Sequence, residues 1–157
     1  MSASAQVLIG SQSTAASVTD TNLELVAGSA ALLRVTRLRL TQSTHKTSEQ
    51  VDMQVQRITT TGTGTSTTPL IKEPSTAALG SARIGTCKTA DSVEPTYTAS
   101  TVLVQAACNS LTGRDIVYPP GQELYVVPSA LLGVAVVTPS GTTTASYRNE
   151  ADFEVLG

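Results

Sequence analysis

The residues able to do chemistry are few and scattered. The single histidine, His45, sits between Thr44 and Lys46 in a polar run over residues 41–50, with no ligand or catalytic partner beside it. A serine triad would have to use it, and no G-x-S-x-G elbow frames any serine. A Cys–His pair would rest on the same solvated imidazole. Cys87 and Cys108 are the only thiols. Without C-x-x-C spacing they argue against zinc or redox chemistry, and they leave open a disulfide or two buried free thiols. Glu150, Asp152 and Glu154 alternate, so a strand would set three carboxylates on one face. That arrangement is able to attract calcium, but the D-x-D-x-D-G spacing of a calcium loop is missing, and a solvated or interface-facing strand accounts for it more simply. The Gly62/Gly64 segment lacks the lysine and following helix of a phosphate cradle. The expectation is a protein that is not an enzyme and has no catalytic residues, no metal site and no cofactor.

Bulk properties narrow the partners. The chain has 157 residues, one domain's worth, and only 14% are charged, against roughly 25% in ordinary globular proteins. Net charge is −2 and the sequence pI about 5.3, so there is no positive field for a phosphate backbone. Aromatics are 3%, with no Trp, which argues against base stacking and aromatic sugar platforms. The many β-branched residues and a mean hydropathy of +0.08 oppose disorder. Low charge with abundant Thr, Ser and Ala fits a β protein whose surface is destined for contact. No stretch of about 20 apolar residues exists to span a membrane. Residues 1–10 carry no basic, apolar leader pattern, so folding in a cytosol is expected.

The elements that must position these residues are strands. Residues 50–69, QVDMQVQRITTTGTGTSTTP, are the organising stretch. Val51, Met53 and Val55 alternate with Asp52, Gln54 and Gln56, the period of a half-buried strand. The Thr/Gly run that follows has no apolar face and is expected as a long exposed loop. Residues 31–42, ALLRVTRLRLTQ, read as a strand with two mixed faces: Leu32, Arg34, Thr36, Leu38 and Leu40 on one, Leu33, Val35, Arg37 and Arg39 on the other. Such a strand changes surroundings midway or meets another protein. Its arginines are a basic patch only on the less common reading; more often such residues are solvated or pair with carboxylates. Residues 1–20 are expected as an N-terminal arm, frayed or anchored on a neighbour through Val7, Leu8 and Ile9, ahead of a domain over 21–157. A short strand at 22–26 precedes the arginine strand, and one helical turn is possible near 75–79. Further strands are expected at 83–86, 97–108, 114–118, 122–127, 131–138 and 142–155. Pro119-Pro120-Gly121 must turn the chain, since Pro–Pro donates no ladder bonds and Gly admits positive φ. About eight strands with almost no helix point to an all-β sandwich or jelly roll.

The strand ending Gln56-Arg57 and its Thr/Gly loop closed by Thr68-Pro69, the PPGQ turn and strand over 119–127, and the closing Phe153-Glu154 occur in an order that resembles the single-jelly-roll capsid decoration (cement) proteins of tailed bacteriophages. The motifs cover somewhat under half of the chain. The tryptophan such proteins often carry near the end is missing here. The resemblance implies an antiparallel jelly roll of about eight strands with long loops. It also implies a homotrimer that binds the major capsid protein on the exterior of a virion assembled in the host cytoplasm. The expected capsid contacts are Val7, Leu8, Ile9, Thr61, Thr63 and Thr65, and the expected subunit interface Arg34, Arg37, Arg39 and Tyr125. The alternative is a receptor- or glycan-binding jelly-roll module of a fibre.

Overall fold

Period-2 patterning dominates the chain, and strands follow from it. The computed structural model describes residues 2–8, 12–14, 19–43, 48–72, 85–139 and 145–156. Among the described residues there are thirteen strands and no helix. They are β1 (Ser2–Leu8), β2 (Gln12–Thr14), β3 (Thr19–Val26), β4 (Leu32–Gln42), β5 (Gln50–Thr60), β6 (Thr63–Thr67), β7 (Leu70–Ile71), β8 (Thr86–Val93), β9 (Thr96–Asn109), β10 (Arg114–Val117), β11 (Leu124–Val126), β12 (Leu131–Val137) and β13 (Ala145–Leu156). One sheet runs β10-β4-β13-β1-β7, with β11 also on β4 and β2 on β13; the other runs β6-β8-β3-β12-β5-β9.

Eight of these strands, β1, β3, β4, β5, β9, β10, β12 and β13, carry the architecture. In chain order the first pairs with the last, the second with the seventh, the third with the sixth and the fourth with the fifth, all antiparallel. A hairpin nested in this way and folded into two sheets is a jelly roll. The other five strands extend its rims.

The core lies between the sheets. Leu23 and Leu25 of β3, Met53 and Val55 of β5, and Leu132, Val134 and Val136 of β12 face Leu33, Leu38 and Leu40 of β4 and Phe153 and Val155 of β13. The alternation read in β5 holds: Val51, Met53 and Val55 are buried and Asp52, Gln54 and Gln56 are partly exposed. Cys87 and Cys108 are free thiols buried in this core.

The faces read for the arginine strand need correcting. Val35 lies opposite Phe153 and Arg37 opposite Asp152, so Thr36 is an extra residue in β4. A β-bulge of this kind shifts the phase of everything beyond it. Leu33, Val35, Leu38 and Leu40 therefore all point into the core, while Arg34, Arg37 and Arg39 point out. The hydroxyl of Thr36 donates to the Asp152 carbonyl at 3.1 Å and fixes the bulge.

Two other expectations change. Ser2–Leu8 is not a free arm: its backbone pairs with β13 along its whole length, and the 20/21 boundary falls inside β3. The Thr/Gly loop is shorter than expected, because Thr63–Thr67 pairs with β8 as the edge strand of the six-stranded sheet. The helical turn near 75–79 and the loop holding His45 lie outside the described residues.

The Pro119-Pro120-Gly121 turn forms as read. Gln122 N–H donates to the Pro119 carbonyl at 3.0 Å and Gly121 has φ of 89°. That is the positive φ a type II turn requires at its third residue.

Candidate binding surface

Two surfaces of the sandwich differ sharply in chemistry. On the outer face of the seven-stranded sheet, β4 and β13 set charges directly opposite one another: Arg34 against Glu154, Arg37 against Asp152, Arg39 against Glu150. Arg34 bonds to Glu154, with Glu123 at 3.8 Å. Arg37 forms a two-point contact with Asp115, at 2.8 and 2.6 Å, and also faces Asp152. Arg39 lies 3.7 Å from Glu150, and Lys72 reaches Asp152 at 2.6 Å. The hydrogen bond to Glu154 raises the pKa of Arg34, that to Asp115 raises Arg37, and the Asp115 carboxyl is held below its ordinary 3.8 chiefly by its bond to Arg37. Thus the three acids that would serve a calcium site and the three arginines that would serve a basic patch occupy each other. Tyr125 of β11 sits opposite Arg34 at the rim of this face. Of the expected interface residues, Arg34, Arg37, Arg39 and Tyr125 are therefore brought together on one sheet face, each arginine satisfied within its own chain.

The second surface is the β6 rim of the other sheet. Thr63, Thr65 and Ser66 are exposed on an edge strand that contains only threonine, serine and glycine. This rim is fastened from beneath. Glu24 is fully buried on the outward side of β3, opposite Lys88. Its Oε1 accepts the Gly62 N–H at 2.6 Å. Lys88 Nζ donates to the Thr61 hydroxyl at 2.7 Å and to the Gly62 carbonyl at 2.9 Å. Ser92 Oγ donates to the Thr63 carbonyl at 3.0 Å. A carboxylate and an ammonium group thus clasp both polar sides of one peptide segment, and charge-assisted bonds of this type are the stronger ones. Next to Glu24, Gly133 leaves room for Ile58 and Tyr97 to cover the outer face of β12. There the Thr21 hydroxyl bonds to both Glu94 and Tyr97.

The expected capsid-contact residues divide between regions. Thr61, Thr63 and Thr65 belong to the fastened rim. Val7 and Leu8 lie in β1, paired with Ala151 and Glu150, and Ile9 is outside the described residues. Sequence reasoning missed Glu24 and Lys88, because nothing local ties them to Gly62. The one usable signal was a glutamate at an otherwise apolar strand centre, Leu23-Glu24-Leu25.

A small pocket of about 170 Å³ opens between the ends of β5 and β12, lined by Gln50, Val51, Asp52, Val137 and Pro139; it is below the roughly 300–1,000 Å³ of ordinary ligand sites. Among the described residues no three His, Cys, Asp or Glu side chains gather as a metal site. No protein-family model, curated protein or solved structure matches the chain.

Proposed function

We propose that the protein is a non-enzymatic structural component of a phage virion, a homotrimer that binds the outside of an icosahedral capsid and stabilises the shell. The sequence resemblance supplies the shell and the trimer. The observation that carries the binding role is the β6 rim, an edge strand of hydroxyl side chains held rigid by buried Glu24 and by Lys88. Edge strands present unpaired N–H and C=O groups to a partner backbone. Short Thr and Ser side chains lose little rotamer entropy on docking, and a rim already fixed in place has little left to order.

A ligand that binds the closed shell and not its separated parts stabilises it by mass action, about 2.7 kcal/mol per site at one hundred times Kd. Three linked contacts raise the effective affinity well above that of one. Modest individual contacts are then enough to resist the outward push of packaged DNA.

The test is cosedimentation with expanded capsids that lack a decoration protein. The wild-type chain is expected to pellet with them and to raise their melting temperature. The double variant Thr63→Arg/Thr65→Arg is expected to lose most of that binding while keeping its fold. A folded wild-type chain that stays in the supernatant with every expanded capsid tried would sink the proposal.

A further inference from the structure

The β6 edge offers a partner more than its hydroxyl side chains. Thr63–Thr67 pairs with β8 on one side and, among the described residues, ends its sheet. Two of its carbonyls are placed by what they accept. The Thr63 carbonyl takes the Ser92 hydroxyl at 3.0 Å, and the Thr65 carbonyl the Thr89 hydroxyl at 3.4 Å. Ser92 and Thr89 both belong to β8, so both carbonyls point toward β8. Within a strand the N–H and C=O of one residue share a side, and successive residues alternate. The peptide groups of Gly64 and Ser66 therefore point the other way, out of the sheet.

This makes a short row of two donors and two acceptors. Residues two apart in a strand are separated by roughly 6.6–6.8 Å, so the row repeats at the spacing of another extended backbone. Gly64 has no side chain to hold a second backbone off. Sheet edges are commonly guarded by charges, prolines or bulges, and Thr63–Thr67 contains neither charge nor proline. Its one register shift is made by β8, where Thr89 and Val93 stand four residues apart against two for their partners. The other edges differ. β9 is interrupted by three register shifts against β5, β10 carries Arg114 and Asp115, and β7 and β11 have only two and three residues.

We infer that an extended segment of the shell protein adds to β6 as a further strand, recognised through the main-chain groups of Gly64 and Ser66. The shell as the source of that segment rests on the proposed function; the mode of recognition rests on the edge itself. The N–H and C=O groups of the segment supply the matching acceptors and donors, so its side chains are not what is read. A charged ligand finds no counter-charge, since residues 59–69 are uncharged. The nearest ionic groups, Glu24 and Lys88, are engaged with the Gly62 peptide. That clasp sets the row in place before docking and leaves little to order. The Thr63 and Thr65 side chains stand on the sheet faces and contribute less than the backbone beside them.

Amide exchange followed by NMR on the purified full chain tests the edge without any capsid. Gly64 and Ser66 are expected to exchange fast and Thr65 and Thr67 slowly; the reverse pattern overturns the inference. Cosedimentation with expanded capsids that lack a decoration protein tests the segment. Ser66→Pro removes an outward N–H and keeps the ladder to β8, since an edge strand tolerates proline where its N–H side faces solvent. It is expected to weaken capsid binding at least about tenfold, whereas Thr63→Ala/Thr65→Ala stays within about threefold of wild type. Circular dichroism and melting confirm the folds; should Ser66→Pro not fold, Gly64→Pro replaces it, with the same loss expected. A folded proline variant that binds as the wild type does overturns the inference and leaves the proposed function standing. A wild type that binds no expanded capsid overturns both. Self-association that Ser66→Pro abolishes would assign the edge to a second copy and overturn the shell segment.

Discussion

Gly133 shows how much rests on a single missing side chain. A Cβ there would lie 3.2 Å from Ile58 Cγ2 and 3.4 Å from Tyr97 Cε1, both part of the cover over the outer face of β12. Gly133→Ala is expected to cost about 1–3 kcal/mol, the usual range for overpacking. It should appear as a lower urea midpoint with unchanged slope. The thiols make a second prediction. Burial pushes Cys87 up from 9.0 to about 12, and burial with nearby Asp52 pushes Cys108 up to about 11. Folded protein at pH 8 is therefore expected to resist a thiol reagent that labels both cysteines once urea is added. The sign for stability follows from linkage. Both folded pKa values are raised, so the contribution is complete below pH 9, where neither state ionises. It is lost as pH climbs through 11 to 12, because the unfolded chain sheds its thiol protons first. Half-buried Tyr118, pushed up by desolvation from 10.0 to about 12, acts in the same direction. Urea midpoints should be level from neutral pH to about 9 and fall beyond it.

Among the elements, β4 accommodates one irregularity and β6 depends on another. Deleting Thr36 would remove the bulge and leave Leu33, Val35, Leu38 and Leu40 in strict two-residue alternation, all still facing the core, with the β13 register kept. Since a slip of one residue flips a whole face, inserting one alanine between Arg37 and Leu38 is expected to abolish the cooperative melt, whereas deleting Thr36 should keep it. For β6 the dependence is on Glu24. Glu24→Ala leaves the Gly62 N–H without its acceptor, but it also removes a carboxylate whose Oε2 has no partner. The opposed effects leave a net loss of about 1 kcal/mol. The sharper readout is local: amide exchange across residues 61–67 should quicken while the β5 and β12 amides keep their protection.

For the whole molecule, the question is which force holds the sandwich. The Arg34/Arg37/Arg39 ladder is prominent, yet its arginines are about a third to a half exposed. Exposed pairs contribute little and are screened as the Debye length shrinks from about 10 Å at 0.1 M salt to about 3 Å at 1 M. Phe153, packed between the sheets and essentially without solvent contact, belongs to the class whose truncation to alanine costs about 3–5 kcal/mol. Raising sodium chloride to 1 M is accordingly expected to shift the melting temperature far less than Phe153→Ala does. The ladder's role is to keep the outer β4/β13 face wet.

Alternation and punctuation in the sequence determined that this is a jelly-roll-like β protein. Val51, Met53 and Val55 announced their strand, residues 131–138 their buried one, and Pro119-Pro120-Gly121 its turn, because each depends on neighbours two or three residues away. Three things had to wait for the tertiary structure. The bulge at Thr36 exists only against β13, more than a hundred residues later in the chain. Glu24 meets Gly62 across 38 residues. Val117 and Tyr125 stand beside Arg37 and Arg34 only because β10 and β11 both pair with β4. Periodicity tells a residue which face it takes within its own strand; which strand lies beside it is decided by pairing over distances that no local pattern records.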